Sequence, residues 1–391
     1  MAVQGIFTSD SNIQGSKTGD LASGLLETEQ TGDSPFFALT SGMQSSDARD
    51  VIVTWFEENP MTGRTTITNN ATTGATLIVS DATQLLAGTI CLIETTGEMI
   101  FIQSITGSTL TVTRGFGNTT ITSINGSVTP VGFQRIGNAN EEASARPTSI
   151  ANLGFPRIQY MQTFRNSWDV SGTAKAVSYE TGNIVAKNRA DALMIHAADI
   201  ERSSLFGVLA IGVISGKPFR TMSGVTSQLT TNITTQGANT TWSELDIFLQ
   251  GVFSRNVRGK PNERIAFLGD TALLTIQKIA RLNGITELMP AQSKFGMNIR
   301  EWHTPFGIIN LVRNPLFSQS PLWTQDLLVL HPGVIETRYL RRTVEDRYDM
   351  NGQRAGVDAD FGVFTTEMCV TYKAEATGGR FTGMTTAAVD P

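Results

Sequence analysis

The side chains able to do chemistry are scattered along this chain of 391 residues. His196 falls on a helical stretch with Asp199 three positions on, a local pair. His303 follows Trp302 in a loop, and His331 precedes Pro332 at a strand end. None has a second histidine four positions away plus a third ligand, which one helix face needs to hold zinc. Each reads as a polar or packing residue. Cys91 and Cys369 lie far apart, and they lack the spacing of a metal or redox motif, so reduced, buried thiols are expected. No G-x-S-x-G is present to raise a serine on a nucleophile elbow. The glycine-rich Arg114-Gly-Phe-Gly117 closes a hairpin and opens no helix, so it does not meet the requirements of a phosphate cradle. Glu57-Glu58 and Glu141-Glu142 pair acids along the chain, but glycoside hydrolysis needs two carboxylates facing one cleft. A β-rich hydrolase using Glu141, Glu142 or Asp81 is the enzymatic alternative. The expectation is no enzyme, no metal and no cofactor.

Composition narrows the class. Hydrophobic residues make up 40% and charged residues 17%, a globular but lightly charged chain. A formal net charge of −5 argues against a chain-wide polyanion-binding surface, which needs clustered Lys and Arg. No apolar run reaches the roughly 18 residues of a membrane-spanning helix; residues 205–214 come closest and contain Gly207 and Gly212. The first 17 residues lack the basic-then-apolar order of a secretory signal. Synthesis in a reducing cytoplasm, with no membrane partner, is expected. The clustered charge is Arg338, Arg341 and Arg342, followed by Glu345, Asp346 and Arg347. In a strand these arginines put charge on both faces. That suits an edge meeting an acidic partner, and it suits a solvated strand end with intramolecular pairs.

The positioning elements follow from periodicity and punctuation. Residues 183–206 form the longest helical reading, flanked by Gly182 and Gly207, with Ala186, Ala190, Leu193, Ala197 and Ile200 as the expected apolar stripe. Residues 1–50 are rich in Gly, Ser, Thr, Asp and Gln, with apolar clusters at Leu25-Leu26 and Phe36-Phe37. Such an arm cannot offset its ordering entropy alone. It is held either by a neighbouring subunit or by its own body. Residues 50–57 alternate as a strand and Asn59-Pro60 breaks it. Short strands separated by turn signals between residues 65 and 135 predict a small sandwich or barrel. Strand patterns resume at 158–164 and 167–177, so the β module is inserted in a two-stranded excursion. Thr241 and Glu244 form a capping box, Asp270 caps a helix to Leu282, and residues 264–268, 307–313, 326–331, 334–343 and 361–375 read as strands. The mixture predicts α+β.

In this order of parts the sequence resembles the major capsid proteins of tailed bacteriophages, whose fold is shared with encapsulins and the herpesvirus capsid floor. More narrowly it resembles a podovirus-type subfamily with a β-rich insertion. The resemblance rests on Gly74-Ala-Thr-Leu-Ile-Val-Ser-Asp81, residues 88–98 and Leu110-Thr-Val-Thr-Arg-Gly115. Further along it rests on Arg220-Thr-Met-Ser-Gly-Val225, Thr304-Pro-Phe-Gly-Ile-Ile-Asn-Leu-Val312 and Val334-Ile-Glu-Thr-Arg-Tyr-Leu-Arg341.

The resemblance implies an N-terminal arm (1–50) and an extended loop lying over an adjacent subunit (51–66 and 136–172). It implies an inserted β-sandwich or barrel (67–135), a peripheral domain (173–221 and 331–391) with a spine helix at 183–206, and an axial domain (222–330). Function would then be assembly into hexamers and pentamers of an icosahedral virion capsid around double-stranded DNA touched non-specifically. Portal protein, and a separate scaffolding or decoration protein, would be its partners. Phe36 and Phe37 in the arm, Trp55 and Glu57 in the loop, and Arg338, Arg341 and Arg342 become candidate inter-subunit contacts. Some capsids of this kind crosslink through a loop lysine, but no Lys lies between Lys17 and Lys175, so non-covalent cohesion is expected. No charged helical segment precedes the arm, so a fused scaffolding domain is not expected. The non-enzymatic alternative is a tail component or adhesin.

Overall fold

The computed structural model describes residues 36, 45–58, 60–143, 146–177, 182–237, 239–257, 259–282, 292–294, 297–348 and 358–385. They divide into two compact units, Phe56–Arg157 and the described parts of Met1–Trp55 with Ile158–Pro391.

In the Phe56–Arg157 unit, six antiparallel strands run in the order Arg64–Ile67, Val131–Asn138, Thr89–Ile93, Met99–Thr106, Thr109–Thr113, Thr76–Ile78. The first and last strands then meet. Ile67 bridges Val79, the Thr68 N–H donates to the Ile78 carbonyl at 2.8 Å, and the Ser80 N–H donates to Thr66 at 2.9 Å. The sheet is therefore a closed barrel with no free edge. Alternation fills it: Ile67, Leu77, Ile93, Ile100, Ile102, Leu110 and Phe133 are all inaccessible to solvent. Register shifts at Ile102–Ser104 and Arg135–Gly137 supply the bends that closure requires.

One buried ion pair ties the loop at 115–123 to this barrel. Arg114 donates from Nε and Nη2 to the two Glu98 oxygens, each at 2.6 Å, and Nη2 also reaches the Thr122 carbonyl. Glu98 accepts in addition from the N–H groups of Gly115 and Thr122. Both side chains are almost wholly buried, at 3% and 0% exposed. Burial pushes the Glu98 pKa up, but the Arg114 and backbone donors outweigh it and hold the carboxyl below its usual range. Arg114-Gly-Phe-Gly117 is thus a loop anchor, with Gly115 and Gly117 at positive φ.

Two large sheets lie among the described residues of the larger unit. In the first, Ser45–Asp47, Ile335–Tyr348, Ala359–Tyr372 and Gln162–Ser171 lie side by side. The short first strand is parallel to its neighbour and the others are antiparallel. Gln162–Ser171 buries Phe164, Trp168 and Val170 on one face and exposes Thr163, Arg165, Ser167 and Asp169 on the other. The strand expected at 167–177 stops at Ser171, because Ser171 Oγ accepts from the Ala174 N–H and caps a short helix, Gly172–Ala176. The second sheet is mixed, in the order Ile233–Thr235, Gly379–Thr382, Leu327–Leu330, Glu263–Leu268, Gly307–Arg313, Met297–Thr304, Gln292–Lys294. Glu263–Leu268 is buried throughout after Glu263: Ile265–Leu268 is the apolar run of a strand covered on both faces, and Arg264 is buried with it. The helix Trp242–Phe253 carries the Thr241–Glu244 capping box and packs Leu245, Phe248, Leu249 and Val252 onto this sheet.

The long helix, Ile184–Phe206, lies against Gln162–Ser171 and Ala359–Tyr372. Its buried side differs from the expected stripe. Ala186, Ala190 and Leu193 are exposed, and the buried positions are Ala192, His196, Ile200, Glu201, Ser204 and Leu205. Hydrogen bonds replace apolar width: His196 Nδ1 pairs with Asn166 Oδ1 and Nε2 with Thr366 Oγ1, both at 2.7 Å. Thr366 then meets Thr343 at 2.8 Å, and Asn166 donates to Asp199. With Asn166 Oδ1 as acceptor, a neutral imidazole carries its proton on Nδ1 and accepts from Thr366.

Breaking the barrel pair from one side leaves a buried charge, so Glu98→Ala should lower the stability of the full chain by about 3–5 kcal/mol. Replacing both partners by leucine should cost less. Urea unfolding of the three proteins measures this; an unchanged midpoint for Glu98→Ala would refute the anchoring role.

Candidate functional site

The two-stranded ribbon Ile52–Glu57 and Phe155–Tyr160 carries the chain out of the larger unit and back. Its inward residues are Val53 and Trp55, the latter half-buried against the main core. Its outer face bares Ile52, Phe56 (73% exposed) and Ile158. Glu57 faces Arg157 across the ribbon at 3.6 Å. The root of the ribbon is clamped by a side chain that periodicity could not single out. Gln159 is fully buried; its amide donates to the carbonyls of Ser223 and Val370 at 2.7 and 2.8 Å and accepts from the Ser223 N–H. Gln228 reaches the same two carbonyls and accepts from the Tyr372 N–H.

Each candidate arginine has a carboxylate of its own chain. Arg338 lies 3.2 Å from Glu336, Arg341 is 2.9 Å from Glu367 and Arg342 is 3.2 Å from Asp47. Arg342 also covers the Tyr339 ring at 4.9 Å. Glu336, nearly buried, collects Ser46 Oγ and Lys373 Nζ at 2.6 Å each. Burial acts to raise its pKa, yet Lys373, Ser46 and Arg338 together hold it low. Ser46, Asp47 and the Ala48 N–H, which donates to Tyr339, dock residues 45–48 onto this strand. That stretch therefore lies along its own body, and the charge cluster is its seat.

Phe36 is fully buried in the main core, edge-on to Phe267 with centroids 5.6 Å apart, and its N–H donates to Glu201. Phe37 lies outside the described residues. The structure thus brings Arg338, Arg341 and Arg342 together on one strand, while Trp55 and Glu57 sit on the ribbon. The carboxylates of the enzymatic alternative form no shared site: Asp81 accepts from the Thr83 N–H in a turn, and Glu141 and Glu142 are exposed. Among the described residues no group of three His, Cys, Asp or Glu is arranged to hold a metal ion.

A pocket lined by Lys260, Glu263, His331 and Pro332 sits at the end of the second sheet, with Arg264 in the same sheet. Arg264 is fully buried without a carboxylate, donating to the carbonyls of Thr377, Glu263 and Arg255 and lying 5.1 Å from the Phe253 ring. His331, 1% exposed, accepts at Nδ1 from the Gly333 N–H and lines a pocket with Lys260 and Pro332. Burial, then the positive charges of Arg264 and Lys260, push the His331 pKa down to about 4.

The model of the SU10 major capsid protein family matches residues 8–385. The chain belongs to the SU10 major capsid protein family. A relative within phage biology, the major capsid protein of Pseudomonas phage PaMx41, is 26% identical over 387 residues, spanning 93% of this chain and 91% of that protein. The capsid of Myoviridae phage XM1 has a TM-score of 0.48 at 11% identity, covering 98% of this chain and all of that one. The holo-SrpI encapsulin of Synechococcus elongatus has a TM-score of 0.45 at 11% identity over 62% of this chain and 80% of its own. Membership makes this a major capsid protein of a phage, with the α+β architecture described above.

His331 is neutral in the fold but accepts a proton near pH 6.5 when unfolded. Its contribution is therefore complete above about pH 6.5 and is lost as pH falls through about 4. Relative to the wild-type chain, His331→Asn should show a shallower loss of thermal stability across that window. Parallel pH profiles would show that the histidine plays no part.

Proposed function

We propose that copies of this chain build the hexamers and pentamers of a closed icosahedral shell around double-stranded DNA. The observation that carries the proposal is the family match over residues 8–385. The ribbon, with Ile52, Phe56 and Ile158 bare on its outer face, is the extended loop that lies over an adjacent subunit, Trp55 and Glu57 included. Heterologous contacts repeated around a ring produce closure. Residues 222–330 form the axial domain at capsomer centres, and residues 173–221 with 331–391 form the peripheral domain. Arg338, Arg341 and Arg342 lie at its margin, where they hold the end of the arm and meet a neighbouring subunit. Phe36, expected at a subunit contact, is instead buried in the core of its own copy and anchors the arm there, which leaves Phe37 as the arm's proposed contact.

Cohesion is non-covalent, as the lysine-free loop requires. The inserted barrel is an exposed stabilising module, the feature behind the podovirus-type grouping. Portal protein and a separate scaffolding or decoration protein are the other partners. The inner wall touches DNA without base readout, consistent with a net charge of −5.

Negative-stain electron microscopy of the expressed chain, with scaffolding protein supplied where needed, should show rings of five or six and closed shells. DNase treatment should leave those shells intact. Stable trimers or tubes would overturn the capsid reading. Replacing residues 67–135 by a short linker should leave assembly possible with lower shell stability; complete failure to assemble would make the barrel a required contact.

A further inference from the structure

We infer that the inserted barrel carries a binding site for an acidic sugar, a polyhydroxylated ring bearing one carboxylate. The site is the cavity at the end of the strand Val131–Asn138. It lies wholly within the Phe56–Arg157 unit and goes beyond the shell-building role. Asn138 pairs with Thr89 at the end of two barrel strands, and the chain then passes over Gly88. The Ala139 N–H donates to the Gly88 carbonyl at 2.8 Å, and Gly88 has φ 82°. A Cβ there would lie 2.8 Å from the Ala139 carbonyl and 3.2 Å from Asn140 Oδ1. Only glycine therefore lets residues 139–140 close over the strand end. Together with residues 147–150 these walls bound a cavity of about 330 Å³. That is the small end of the range for ligand pockets, which favour the mouths of barrels.

Charge selects the class of ligand. In this unit Arg64, Arg114 and Arg157 face Glu94, Glu98 and Glu57. Arg135 faces no carboxylate among the described residues; its Nη1 donates to the Gln84 carbonyl at 3.2 Å. The strand shifts register between Arg135 and Gly137, and such a bulge re-aims a side chain. Arg135 lines the cavity, and no Asp, Glu or Lys lines it with Arg135. A bound anion would thus meet a single guanidinium, which matches a carboxylate with two parallel hydrogen bonds. A phosphate group carries close to two charges at neutral pH and would be half compensated. The remaining lining selects the body of the ligand. Asn138, Asn140 and Thr148 make no side-chain hydrogen bond within the described chain. Their carboxamides and hydroxyl both donate and accept, as ring hydroxyls require. Leu86 and Ile150 offer apolar surface to the C–H face of a ring. A carboxylate from a protein partner would use Arg135 and leave these three polar groups idle.

The test titrates the full chain by saturation-transfer difference NMR with glucuronate, N-acetylneuraminate, glucose, phosphorylated glucose and acetate. At least one acidic sugar should bind saturably in the millimolar range, at least tenfold more tightly than the last three probes. Arg135→Gln should weaken that binding at least tenfold. Because this variant also loses the Gln84 contact, Asn140→Asp is the second variant. It removes no contact of the folded chain, should keep the wild-type melting temperature, and should weaken the same sugar at least tenfold by opposing two carboxylates. No saturable binding of either acidic sugar would overturn the inference. Acetate binding as tightly as the sugar would overturn it too, because the site would then take any carboxylate, a protein's included. So would tighter binding of phosphorylated glucose, or wild-type affinity in either folded variant. All of these outcomes leave the capsid reading standing, since shells and not sugar binding decide it.

Discussion

The larger unit depends on how a weakly amphipathic helix is held to a sheet. Ile184–Phe206 has a narrow apolar side, so burial alone would leave its rotation and register poorly determined. The chain Asp199–Asn166–His196–Thr366–Thr343 supplies directional bonds across the helix and three strands. A hydrogen bond loses value quickly with distance and angle, whereas apolar contact tolerates sliding. Buried and mutually satisfied, such a network is costly to break at any one member. Glu201 extends the same logic at the C-terminal end, where it accepts from Asn314 and from the Phe36 N–H. The helix, the second sheet and the arm thus share a single buried carboxylate.

A polar seat has a consequence for the opposite side of the helix. Because apolar residues are not needed for docking, Leu193, Met194 and Ile195 remain 44–55% exposed. The ribbon and the hairpin of Ala210–Ile214 with Lys217–Thr221 show the same economy. Stability resides in the barrel and the two large sheets, while the ribbon and the hairpin leave apolar side chains exposed. The barrel is the clearest case of a closed element. It has no free strand edge, it fills its interior with alternating aliphatics, and its longest surface loop is anchored by a buried bidentate pair. A module closed in this way can be carried on a two-stranded ribbon without offering an edge for unwanted pairing.

Much of this was legible in the sequence because it depended on local rules. The length of the long helix and its end at Gly207, the Thr241–Glu244 capping box and the strand at 264–268 all follow from backbone demands within a few residues. The alternation and turn spacing of residues 65–135 determined a small all-β module. The resemblance to capsid proteins came from the order of these parts.

Tertiary structure decided what local pattern leaves open. Periodicity treats leucine and alanine as the core-seeking positions of the helix, yet Asn166 and Thr366, distant in sequence, turned His196 inward and left Leu193 outside. Ser171 was free to be a strand residue or a cap until its oxygen met the Ala174 N–H. Residues 205–214 are the longest apolar run of the sequence, and only the Gly207–Gly224 crossing and the turn at Ser215-Gly216 decided that Leu205 is buried while residues 210–214 form an exposed hairpin strand. The arginines at 338, 341 and 342 carried charge from the outset. Whether that charge met solvent, a partner or the same chain depended on long-range register, which set Glu336, Glu367 and Asp47 beside them. The sequence by itself determined the elements and their order. Non-local hydrogen bonds and ion pairs determined which faces those elements turn inward and which they leave exposed.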